Sequence, residues 1–337
     1  MRRWRRLRRR DGHALLLPHF QLRPGGLLDL EGRVRPLAPE LEAALKLCDG
    51  TRTLGEVARA AGVSPKLLLR QYELGTLVLW RNALEGPPPE GDPPAHVVVS
   101  PHLDDAALSL GASMLVGPAG GWLVLDVFSR PAWWRLVRWD GDLLQRVRRE
   151  EERLMARLAG ARLLDLDLPE ALLRGHDFGA AFSGEPAEED REVVARLEAE
   201  VAGLARRWSG AHWYLPLGAG GHRDHRICRD AGLRALLGAG TAEDRICFYE
   251  DQPYTAALGG VPDFASALPG RALTPHLQEG TAAQVLWKLE LSRVYWSQLT
   301  RSEIERLGRY ARRIGGEAPA ERVWRLAAGA TICPAGP

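Results

Sequence analysis

The chain has 337 residues, 45% apolar and 26% charged, with a formal net charge of +2, an ordinary globular composition with length enough for two domains. No apolar run approaches the length of a membrane span. The four cysteines, Cys48, Cys228, Cys247 and Cys333, have no paired spacing, which argues for a reducing cytoplasm and against a cysteine-built metal site.

Residues 1–12 read as a basic flexible arm. Met1 to Arg10 holds seven arginines and no acid, so the rest of the chain is net acidic. The short run Leu15 to Leu17 ends at Pro18 with no small-residue cleavage site behind it, which is not a secretory signal. A solvated tail is expected here ahead of an arm for an anionic surface.

Residues 13–84 read as a small α+β unit. His19 to Leu30 carries strand-like residues broken by Pro24, Gly25 and Gly26, as in a hairpin. Pro39 to Leu47 has the spacing of an amphipathic helix, and Asp49-Gly50 predicts a turn. Thr53 and Glu56 fit a capping box into a second helix through Ala61. Gly62 to Pro65 is a turn with a new N-cap, followed by a third helix to about Leu74. Gly75 then suggests a C-cap, and Thr76 to Trp80 a short strand. Three helices followed by a wing-like strand resemble a winged helix. The run Leu47-Cys48-Asp49-Gly50-Thr51-Arg52-Thr53 resembles the PqqD-like modules that hold peptides in natural-product pathways. Three uses are open: packing on the body of the protein, binding a peptide along a strand edge, or binding DNA. Packing ranks first. DNA ranks last because Lys66 and Arg70 on the third helix are thin cover for a phosphate backbone.

Residues 85–95 are a Pro-rich linker, stiffened toward polyproline geometry. From 96 to 337, strand and helix patterns alternate. Strands are expected near 96–101, 122–129, 162–168, 212–217 and 245–250, and helices near 105–116, 142–159, 188–208, 224–237 and 283–300. The fold class is α/β: a Rossmann-like, mostly parallel sheet with helices on both faces. No Gly-x-Gly-x-x-Gly turn follows the first of these strands, so no dinucleotide site is assigned.

Two polar clusters stand out in this region. Val97 to Val99 form a buried-strand pattern, Ser100-Pro101 breaks it, and His102, Asp104 and Asp105 follow at once, ahead of an apolar helix. Acids at a helix start are unremarkable alone. Two acids and a histidine at the mouth of a strand are what sites in open α/β sheets are built from. Further on, Tyr214 to Leu217 reads as a second strand end. A glycine-rich loop then leads to His222-Arg223-Asp224-His225 and another helix. A catalytic zinc takes three protein ligands and keeps a fourth position for water. Neither cluster supplies that alone; together they do, with polar groups left for proton transfer.

Pro101-His102-Leu103-Asp104-Asp105 paired with His222-Arg223-Asp224-His225 resembles the PIG-L (LmbE-like) zinc-dependent N-deacetylases. Further echoes fall in order over roughly residues 95–330. They are Arg148-Arg149-Glu150-Glu151, Leu168-Pro169-Glu170-Ala171-Leu172, Phe248 to Tyr254, and Tyr295-Trp296-Ser297-Gln298. The resemblance implies one zinc ion per chain held by His102, Asp105 and His225. It implies Asp104 as general base, His222 as the stabiliser of the oxyanion or a proton donor, and Asp224 as the group that orients an adjacent histidine. Arg149 and Glu170 are expected to contact substrate, with Glu170 standing where relatives often carry Asp. Many members have Glu at the position of Ala106 and Pro at that of Leu103. The Glu is not a metal ligand in the family, so the departure bears on substrate range.

Trp133, Trp134 and Trp139 lie in a loop beside this cluster. They suit stacking on a sugar or aglycone as well as an apolar flap, and the same holds for Tyr249 and Tyr254. The remaining histidines are expected to be structural or solvated, although His176 lies near enough to Phe178 to line a cleft. The expected function is removal of an N-acyl group, acetyl first, from an amino sugar or glycoconjugate in the cytoplasm. A peptide- or DNA-binding regulatory protein with a degenerate enzyme body is the second reading, and a two-metal phosphoesterase the third.

Overall fold

The structure is a computed structural model describing residues 11–18, 20–24, 26–29, 32–84, 86, 92–133, 141–183, 187–259, 268 and 271–331. Its centre is a seven-stranded sheet. Five strands are parallel: β7 (His96–Ser100), β8 (Trp122–Asp126), β9 (Arg162–Asp165), β10 (His212–Pro216) and β11 (Ile246–Tyr249). They lie in the order β11-β10-β7-β8-β9, so the chain starts in the middle, moves one way, then returns to build the other side. That reversal puts β7 and β10 side by side, with Val98 opposite Tyr214, and opens a crevice beyond their carboxyl ends.

Both faces of the sheet are covered, which is why its strands are apolar at consecutive positions rather than at alternate ones. Val98, Val124 and Tyr249 pack on one side with residues of α4 (Asp105–Met114), α5 (Gly141–Ala159), α10 (Val285–Ser292) and α11 (Arg301–Gly315). Val97, Val99, Leu125 and Phe248 pack on the other with α7 (Arg191–Arg207) and α8 (Arg223–Gly238).

Two features of this region depart from the sequence expectation. Beyond β11 the sheet gains β13 (Arg322–Thr331) and β12 (Arg271–Leu277), each antiparallel to its neighbour. The outermost, β12, contains Pro275 and is largely solvated, so it lacks an apolar run. The single helix expected over 283–300 ends at Ser292, followed by a 3-10 turn at Arg293–Tyr295. Tertiary bonds compete with its continuation: Ser297 donates its N–H and hydroxyl to Glu151, and Gln298 donates its amide to the Leu103 carbonyl.

The N-terminal residues form β1 (His13–Leu16), β5 (Asp49–Thr53) and β6 (Leu77–Trp80) in a three-stranded sheet with β1 central. Three helices accompany it, α1 (Pro39–Lys46), α2 (Leu54–Ala60) and α3 (Pro65–Glu73). The capping box is present: Thr53 N–H donates to Glu56 Oε2 at 2.8 Å and Glu56 N–H to Thr53 Oγ1 at 3.3 Å. β2 (Gln21–Arg23) and β3 (Gly26–Leu28) pair antiparallel as a hairpin, and β4 (Val34–Pro36) pairs on its far side. Asp49-Gly50, expected as a turn, instead opens a strand, with Gly50 at φ +86° where its neighbours leave no room for a Cβ.

This unit shares core with the body. Leu15, Val78 and Trp80 lie in the same apolar cluster as Val98 and Leu291. Trp80 meets Trp287 edge-on at 5.6 Å, and Tyr72 donates its hydroxyl to Glu290 at 2.5 Å. Among the described residues no helix is long and apolar enough to cross a membrane. The basic arm and much of the Pro-rich linker lie outside the described residues.

Candidate metal centre and cleft

The two polar motifs meet because β7 and β10 are neighbours. His102, at the exit of β7, and Asp224, at the start of α8, are 122 residues apart in sequence, yet His102 Nε2 lies 3.0 Å from Asp224 Oδ2. Asp105 opens α4, and its Oδ2 lies 3.4 Å from His102 Nδ1 and 3.3 Å from His225 Nε2. The same carboxylate accepts the His102 N–H at 2.9 Å, which fixes the loop to the helix start.

The hydrogen-bond partners assign the tautomers. A carboxylate only accepts. His102 therefore donates from Nε2 to Asp224 and His225 donates from Nδ1 to Asp251 at 2.6 Å. His102 Nδ1 and His225 Nε2 both face Asp105 Oδ2, and a cation bound there would take the place of the proton on His102 Nδ1. His225 Nε2 is fully buried and has no hydrogen-bond partner. Asp105 Oδ2 lies 3.3–3.4 Å from each of the two nitrogens, the edge length of a tetrahedron with metal–ligand bonds of about 2.0–2.1 Å. A carboxylate behind each histidine is the usual arrangement at a metal site. The donor set therefore fits a zinc-like cation.

One ring nitrogen each from His102, His222 and His225 also lie within 4.8 Å of one another. His222 is the N-cap of α8, its Nδ1 accepting the Asp224 N–H at 3.2 Å. Its hydrogen is thus on Nε2. Burial and the neighbouring His102 and His225 push it down to about 2, so it is neutral at ordinary pH. Burial works against a charge on His102 too, but Asp105 and Asp224 outweigh it and hold that ring well above the usual imidazole range. Asp224 is held low in spite of burial by His102 and Arg174. It also accepts Ala171 N–H at 3.1 Å and Arg174 at 2.6 Å.

Asp104 is the N-cap of α4, yet its carboxyl makes no capping bond. It faces the cavity, and burial and the adjacent Asp105 raise it well above the carboxylate range. The cavity holds about 380 Å³. His102, Asp104, Asp105 and His222 form one part of its lining, and Phe178, Phe182, Tyr254 and Leu299 an apolar part.

Of the substrate contacts expected from sequence, Trp133, Glu170 and Tyr254 line the cavity. Glu170 accepts Ala132 N–H at 3.0 Å and faces Arg148 at 3.4 Å. Arg149 does not reach the cavity; it lies on the outer side of α5, paired with Asp165 and Asp167. The buried lining arginine is Arg148, whose guanidinium donates to the Trp133 carbonyl. One step along a helix rotates a side chain by about 100°, and the two adjacent arginines could not be told apart by sequence. Trp134 and Trp139 lie outside the described residues. His176 binds Asp190 at 2.9 Å behind the site. Asp251, Arg174 and Arg306 were not anticipated; only Asp251, directly after a strand end, carried a visible signal.

No family model and no curated protein sequence matches the chain. Among solved structures, it is similar to a deacetylase in the biosynthesis pathway of teicoplanin, with TM-score 0.57 and 21% identity, covering 69% of this chain and 97% of that one. It is also similar to the A40926 pseudoaglycone deacetylase Dbv21, with TM-score 0.53 and 19% identity, covering 72% of this chain and all of that one. At such identities the likeness is one of fold, shared over 69–72% of this chain.

Proposed function

We propose that the protein is a zinc-dependent hydrolase that removes an N-acyl group, acetyl first, from an amino sugar or glycoconjugate. The observation that carries this is the convergence of His102 Nδ1, His225 Nε2 and Asp105 Oδ2, with Asp104 and His222 beside them in one cavity. The shared fold with two deacetylases, one of the teicoplanin pathway and one of the A40926 pseudoaglycone, supports the same reading.

His102, Asp105 and His225 would hold one zinc ion. When bound, it polarises an amide carbonyl and acidifies water. Asp104, facing the cavity beside the proposed ligands, takes the proton of the attacking water as its carboxylate and passes one to the departing amine. Neutral His222 presents Nε2–H toward the carbonyl oxygen as it gains charge. Asp224 and Asp251 fix the tautomer and angle of the two ligating rings. Trp133, Glu170 and Tyr254 form the wall that meets the sugar, with Arg148 in the contact role expected of Arg149.

The test is acetate release from N-acetylglucosamine and its alkyl glycosides by protein stripped of metal and then titrated with zinc. Activity that rises to a plateau at one zinc per chain is expected. A fully loaded protein that frees no acyl group from any N-acylated sugar overturns the reading.

A further inference from the structure

Six charged side chains line the cavity: Asp104, Asp105, Glu170, Glu303, Arg148 and Arg306. Five are engaged. Asp105 stands between the two histidines, and Asp104 is beside it as the proposed base. Glu170 and Arg148 face each other at 3.4 Å. Glu303 caps its own helix, accepting the Thr300 N–H at 2.8 Å and hydroxyl at 2.7 Å. Arg306 is the exception. It lies one turn after Glu303 on α11, facing the same way, half-buried, and among the described residues it makes no hydrogen bond or ion pair.

From this juxtaposition we infer that the cavity takes a substrate bearing an anionic group, a carboxylate or phosphate, on the amine side of the scissile amide, and that Arg306 is the residue that selects it. The inference rests on the deacylase reading for the chemistry and goes beyond it in naming the substrate class. A guanidinium presents two parallel N–H donors that match either anion in a fork. The apolar side chains of the same cavity wall, Leu299 and Ala257 among them, thin the water inside it and so strengthen such a pair. Among the described residues no acid of the cavity lies within ion-pair distance of Arg306.

The experiment compares three probes with zinc-loaded full-length protein: neutral N-acetylglucosamine, its 6-phosphate, and N-acetylmuramic acid, which carries a carboxylate. The expected result is a kcat/KM at least about tenfold higher for one anionic probe than for the neutral one. In Arg306→Gln that ratio falls toward one, mainly through KM, and Arg306→Lys recovers part of it. Which anionic probe leads tells phosphate from carboxylate. Equal turnover of all three probes, or a ratio that survives Arg306→Gln, overturns the inference. If none of the probes is hydrolysed, the deacylase reading fails instead. Calorimetric binding of the two anionic probes then decides the subsite: weaker binding in Arg306→Gln supports it, and unchanged binding overturns it.

Discussion

The Asp251 carboxylate lies 2.6 Å from His225 Nδ1, with both side chains fully buried. Asp251 also accepts the Ala219 N–H at 2.8 Å, so the loop before α8, the end of β11 and the proposed ligand His225 are tied at one carboxylate. Removing its charge lowers the basicity of His225 without removing a ligand. Asp251→Asn is expected to weaken zinc binding by roughly 10- to 100-fold, read by competition with a chromophoric chelator. Unchanged affinity would show that Asp251 only anchors the loop.

Among the described residues the Asp104 carboxyl makes no capping bond that a change to Asn would break, and it lies outside the ligand set proposed here. Asp104→Asn should therefore keep its zinc and its thermal stability while losing about 10²- to 10⁴-fold in kcat. Metal analysis and turnover on the same sample check this. Loss of zinc along with activity would move Asp104 into the coordination sphere.

His222 separates a donor role from a ligand role. With Nδ1 engaged by Asp224 N–H, its Nε2–H points into the cavity. His222→Ala is expected to cost on the order of 10²- to 10³-fold in kcat with zinc affinity retained. His222→Gln, which keeps an N–H donor, should recover part of that loss. A collapse of zinc affinity in His222→Ala would favour the three-histidine group over the set centred on Asp105.

The two motifs were legible because each sits directly after an apolar strand run, where chemistry-bearing residues show against a plain background. Their meeting was legible only through the sheet order, since β7 and β10 become neighbours by the chain reversing direction. Arg174 shows what no local pattern could convey. It bridges Asp224 at 2.6 Å and Asp190 at 2.8 Å from a 3-10 turn with nothing unusual in its sequence. The edge strand β12 escaped notice for the opposite reason: largely solvated and interrupted by Pro275, it lacks the apolar runs that marked the five central strands.

Asp190 gives the protein an acid-sensitive joint behind the site. It is fully buried and accepts from Arg174, Arg223 and His176. Those donors and the Ala187 N–H overcome burial and hold it down at about 2. A depressed carboxylate contributes stability that is complete above its unfolded value near 4 and is lost as pH falls toward 2. The linkage is worth roughly 2 kcal/mol. Urea midpoints measured from pH 5 to pH 2 should fall across that window. Asp190→Asn, which strands two buried arginines, should be destabilised at pH 7 by several kcal/mol and show a shallower acid slope. An equal slope in both proteins would place the acid sensitivity elsewhere.

The N-terminal unit is built into the same apolar cluster as the seven-stranded sheet, and its contacts fall on the segment that leads to Gln298 and Leu299 in the cavity wall. Gly75 lies against Trp296, and Arg293 stacks over Tyr72 at 4.2 Å while donating to its carbonyl. Trp80, 3% exposed, fills the junction against Trp287. Unfolding followed by calorimetry should therefore give one transition for both parts. Trp80→Ala, a large-to-small change in a buried site, should cost about 3–5 kcal/mol and lower that single transition as a whole, with KM rising as the 293–299 segment loosens. Two separate transitions, with only the earlier one moved by Trp80→Ala and KM unaltered, would show that residues 13–84 ride on the body as an independent module and have no part in shaping the cleft.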